Sequence, residues 1–137
     1  MMDLSPYIRD VKYGLGDIAM EYYDDKLALN DLKKAYKFIY MIVAQNLKDE
    51  MDANNLASVE CCLISLSTYY AYRTYTVLAS DRLGTMPESS PVQLSYLMED
   101  ARNCLTWISM YPLDENMMPI RETWASYGAI KGPTVVG

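Results

Sequence analysis

The chain has 137 residues, enough for one domain with one core. A hydrophobic fraction of 51% excludes the disordered class. A net charge of -6, with no basic run longer than Lys33-Lys34, argues against binding to nucleic-acid phosphates while leaving room for a surface that lets DNA pass. There is no histidine, which removes the commonest general base, the usual zinc ligand and the Ser–His and Cys–His nucleophile pairs.

Ser5-Pro6 announces a first helix, with Ser as N-cap and Pro at the first helical position. Ile8, Val11, Leu15, Ile18 and Tyr22 then fall at steps of three and four, one helical face. Gly14 and Gly16 interrupt it and mark a close approach or a bend. Asp24–Asn30 reads as a polar break, with Asn30 capping a second helix. The stripe of that helix runs through Leu32, Ala35, Ile39, Ile42 or Val43, Asn46 and Met51. Asp52-Ala53-Asn54-Asn55 reads as a turn.

A long third helix is predicted from about Leu56 to Leu83, ending at Gly84 as C′ residue with Arg82 in its last turn. Val59, Leu63, Leu66, Tyr70, Val77 and Leu78 form its main stripe. Tyr69, Tyr72 and Tyr75 form a second, tyrosine-rich face, as in a helix central to a bundle or touching another subunit. After a loop over 85–90, Ser90-Pro91-Val92-Gln93 combines a capping box with Pro at the first helical position. Leu94, Leu97, Ala101, Leu105 and Ile108 follow as the stripe of a fourth helix, which Pro112 ends.

Beyond Pro112 the helical period disappears. Prolines at 112, 119 and 133 favour extended backbone in their neighbours. The expected architecture is all-α: a helical bundle domain over residues 1–110, of about four helices with a long central one, and an extended, irregular C-terminal arm over 111–137. Met117, Met118, Ile120, Trp124, Tyr127, Val135 and Val136 on the arm, with Tyr69, Tyr72 and Tyr75 on the central helix, are the candidate partner-binding residues.

Motifs for chemistry are weak. Gly14-Leu15-Gly16-Asp17-Ile18-Ala19 matches a dinucleotide fingerprint, but that motif works where a strand turns into a helix, and here it lies inside a helical stripe. A calcium loop counted from Asp49 would need an oxygen ligand and a glycine where Met51 and Asn54 stand. Glu60 and Glu99 lack the histidine partners of helical di-metal sites. No cofactor, metal or catalytic residue is assigned, and the expectation is a protein that is not an enzyme. Cys61, Cys62 and Cys104 are odd in number and lack C-x-x-C spacing, and all three fall within helical patterns, so they read as small buried thiols in a reducing compartment. No basic-then-apolar leader opens the chain, and the apolar stretch around Ile39–Val43 is too short to span a bilayer, giving the expectation of a soluble, cytoplasmically made protein.

The layout resembles the head–tail adaptor (connector) proteins of tailed viruses, the group that includes head-completion proteins. The resemblance rests on the central helix around Ala57–Tyr72 (ASVECCLISLSTYYAY), its end at Ser80-Asp81-Arg82-Leu83-Gly84, and the tail from Pro112. It implies a virion protein, assembled in the host cytoplasm, that forms a homo-oligomeric ring around the DNA channel and docks on a portal protein and a tail-side protein. The alternative is a cytoplasmic helical adaptor or regulator binding one protein partner. Neither reading calls for sequence-specific nucleic-acid binding or a membrane.

Overall fold

The computed structural model describes residues 3–15, 23–83 and 90–120. Within them, a 3-10 turn over Ser5–Tyr7 leads into α1 (Ile8–Leu15), followed by α2 (Asp25–Ile42), α3 (Gln45–Asp52), α4 (Glu60–Leu83) and α5 (Ser90–Ile108). The protein is a helical bundle. α4 is its centre, because α1, α2 and α5 all pack on it. Its apolar residues fall on several sides rather than one, and Cys62, Leu63, Leu66, Tyr69, Ala71 and Tyr75 are all buried, as is Val59 just before it.

Local signals explain most boundaries. Asp24, in extended conformation, caps α2 by accepting a hydrogen bond from the Leu27 N–H at 2.9 Å, so the cap is Asp24 and not Asn30. At the start of the chain the Asp3 carboxylate accepts from the Ser5 N–H at 3.0 Å; Ser5 itself lies inside the turn and is not the cap. Asn54 adopts φ 61 after α3, and Asn55 N–H returns to the Glu50 carbonyl at 2.8 Å, which closes that helix with an asparagine in the left-handed position. The Asn55 side chain then accepts from Ala57 N–H at 3.1 Å, and residues 56–59 turn before α4 begins at Glu60.

The single second helix expected from sequence is two helices. Val43 and Ala44 are extended, Val43 bridges Ser109, and the Met110 N–H donates to the Ile42 carbonyl at 2.8 Å. This pairing stops α2, ties its end to that of α5, and leaves Asn46 exposed on α3. It also ends α5 at Ile108, ahead of Pro112.

The cysteines correct the sequence reading as well. Cys62 on α4 and Cys104 on α5 form a disulfide, with Cα atoms 5.5 Å apart, and Cys61 is exposed and free. Cys62 lies near the start of α4 and Cys104 near the end of α5, so the bond clamps an antiparallel pair. The argument from free thiols to a reducing compartment falls with it.

Gly14 fulfils the expectation of a close approach. A Cβ there would stand 3.0 Å from Thr68 Cγ2, so α1 sits directly on α4. Gly16, Gly84 and the 85–89 loop lie outside the described residues. No helix among the described residues is long and apolar enough to cross a membrane.

Candidate assembly surface

Ala101 and Leu105 bury the inner face of α5, flanked by partly buried Leu94, Leu97, Met98 and Ile108. Its opposite face is as regular. Val92, Tyr96, Glu99, Asn103 and Trp107 follow one another at steps of four, three, four and four, so they line one side of the helix. All are exposed: Trp107 is 89% accessible and Tyr96 63%. Burying an aromatic side chain from that degree of exposure releases on the order of 2–3 kcal/mol, which makes Trp107 the largest unclaimed apolar contact among the described residues.

A shallow open groove of about 400 Å³ runs along the flank of this face, lined by Ser95, Met98, Glu99, Arg102, Asn103, Thr106 and Glu115. Glu115 comes from a hairpin that follows α5. In that hairpin Leu113 bridges Pro119, the Ile120 N–H donates to the Pro112 carbonyl at 2.9 Å, and the Asp114 carboxylate accepts from the N–H groups of Asn116 and Met118 at 2.8 and 2.9 Å. Met117, at φ 64, turns its side chain into the core.

The candidates expected from sequence therefore divide. Met118 is exposed and Ile120 half-buried, while Met117 is sheltered within its own chain. Tyr69 and Tyr75 are buried against the bundle and Tyr72 is half-buried against it; their rings pack internally, Tyr72 edge-on to Tyr75 with centroids 5.8 Å apart. Trp124, Tyr127, Val135 and Val136 lie outside the described residues. The outer face of α5 was overlooked in sequence, although the Val92, Tyr96, Trp107 spacing marks it.

A polar centre lies elsewhere. Asp31, on the inner side of α2, is 3% exposed and accepts hydrogen bonds from the Tyr23 and Thr74 hydroxyls. Lys34 Nζ stands 4.0 Å away. Next to Thr74, the Arg73 guanidinium lies over the rings of Tyr69 and Tyr70, at 5.4 and 5.2 Å from their centroids. Every oxygen of Asp31 is thus engaged within the fold, the arrangement of a structural clasp. Among the described residues no three His, Cys, Asp or Glu side chains gather where a metal ion could be held. Gly14 lies in helix α1 with no strand before it among the described residues, so it lacks the setting of a dinucleotide loop.

Comparison with protein-family models, curated proteins and solved structures finds no match to this chain.

Proposed function

We propose that this chain is a non-enzymatic assembly protein that works as a ring of identical copies, in the manner of the head–tail adaptors its layout resembles. The observation that carries the reading is the exposed Trp107 in register with Val92 and Tyr96 on the outer face of α5. A disulfide-clamped helix with an aromatic, water-facing stripe is a rigid part with an unfilled contact, and buried aromatic anchors dominate interface energetics. Its mechanism is burial of that face against a neighbour. In a virion the ring would stand between a portal protein and a tail-side protein around the DNA channel, and the net charge of -6 suits a passage that must not grip phosphates.

Electron-microscope imaging of the purified chain at low ionic strength tests this. Closed rings of one size are the expected result. Single particles of monomer mass at every concentration would contradict it.

A further inference from the structure

The outward side of α2 carries a second stripe. Lys26, Asn30, Lys33, Lys37 and Met41 are all exposed. Their steps of four, three, four and four are the same as those of Val92, Tyr96, Glu99, Asn103 and Trp107 on α5. Each set spans about 22 Å at 1.5 Å per residue. The two differ in chemistry. The α2 stripe is basic with an apolar end, and Lys34 flanks it; the α5 stripe is aromatic with Glu99 at its middle, and Asp100 flanks it.

Among the described residues, Lys26, Lys33 and Lys37 have no ion pair, and neither do Glu99 and Asp100. Both helices pack on α4, and they approach each other where Val43 meets Ser109. The two stripes face away from the core on different helices and cannot satisfy each other within one molecule.

We infer that the α5 stripe of one copy seats on the α2 stripe of the next, with Lys33 opposite Glu99. Equal length and equal spacing put the two stripes in register when the helices run parallel. In a parallel pairing Lys33 meets Glu99 and Met41 meets Trp107, a favourable sulfur–aromatic contact. Because the two surfaces are different, the contact is heterologous: each added copy presents a fresh stripe, and the series closes into a ring when the rotation permits. Opposite charge sets register and suppresses wrong pairings, while Tyr96 and Trp107 supply the buried area. The inference rests on the assembly reading above and adds which two faces meet.

Charge reversal in the full-length chain tests it, using sedimentation at low ionic strength. K33E alone and E99K alone each put like charges at the contact and should weaken association by about a hundredfold or more, giving monomers whose circular dichroism equals that of the original chain. An equimolar mixture of K33E and E99K has opposite charges at every contact between unlike copies, and should recover association, closing to the original ring when the number of copies is even. An assembly indifferent to both substitutions overturns the α2–α5 contact and leaves the ring reading standing. Loss with E99K but not with K33E also overturns it, and assigns α5 to a symmetric contact or to a different protein. A mixture that stays monomeric overturns it too. A wild-type chain that is monomeric throughout overturns both this contact and the ring.

Discussion

The Tyr23 hydroxyl donates to Oδ2 of Asp31 at 2.6 Å, and both side chains are closed off from water. Thr74 of α4 donates to the same oxygen at 3.1 Å, so one carboxylate joins the segment before α2, α2 itself and the central helix. Hydrogen bonds to a buried charge are worth more than neutral ones. Tyr23→Phe should therefore cost about 1.5–3 kcal/mol, read as a lower denaturation midpoint in urea with unchanged slope. Asp31→Ala, which strands two hydroxyls, should cost at least as much.

The same clasp predicts alkaline sensitivity. Burial, then the hydrogen bond to Asp31 and the charge of Asp31, hold the Tyr23 hydroxyl well above the ordinary tyrosine range. Burial also raises the Tyr70 hydroxyl, opposed in part by Arg73. A raised folded-state value means that above about pH 10 the unfolded chain loses these protons first. Stability is thus fully present below about pH 10 and falls as pH rises beyond it. Melting temperatures taken from neutral pH upward should be flat to that point and then decline, with a smaller decline in Tyr23→Phe.

Gly14 and Thr68 offer a test of packing against propensity. Alanine is a better helix former than glycine by about 1 kcal/mol. At position 14, however, its methyl would press on Thr68 Cγ2, and Thr68 is held in place by its hydroxyl donating to the Ile64 carbonyl at 2.8 Å. Gly14→Ala should destabilise by about 1 kcal/mol, the overpacking cost exceeding the propensity gain. Thr68→Ser removes the obstructing methyl, and in that background Gly14→Ala should become neutral or stabilising. A double-mutant cycle by thermal denaturation reads the difference.

The disulfide predicts one reactive thiol per unfolded chain, from Cys61, until reductant is added, and three afterwards. Cys62 and Cys104 are separated by 42 residues, a loop for which closure entropy gives on the order of 2–4 kcal/mol. Reduction should lower the melting temperature accordingly, and Cys104→Ser should match the reduced protein.

Much of the bundle was readable from residue periodicity. The buried positions Leu32, Ala35, Ile39 and Ile42, then Val59, Leu63 and Leu66, then Ala101 and Leu105 are those that recur at helical spacing. The break after Ile42 was not readable, because Ile-Val-Ala carries no glycine or proline and the interruption is imposed by Ser109 and Met110 from 66 or more residues away. Asp24 and Asn30 are both good caps, and local sequence alone could not rank them. The Cys62–Cys104 bond depends on α4 and α5 being antiparallel neighbours, which no count of cysteines reveals. The hairpin over Pro112–Ile120 hangs on Asp114 and on left-handed Met117, a conformation unusual for that residue type. In α5 the outer stripe is as legible as the inner one, but apolar periodicity by itself does not distinguish a core face from a contact face.

On the proposed function, the outer face of α5 is covered by another polypeptide. Sedimentation of Trp107→Ser beside the unaltered chain, at matched concentration and low ionic strength, tests it most directly. Trp107 touches little of its own bundle, so thermal stability should shift by no more than about 0.5 kcal/mol, while the assembled species gives way to monomer. Assembly of Trp107→Ser to the same mass as the unaltered chain would contradict the account.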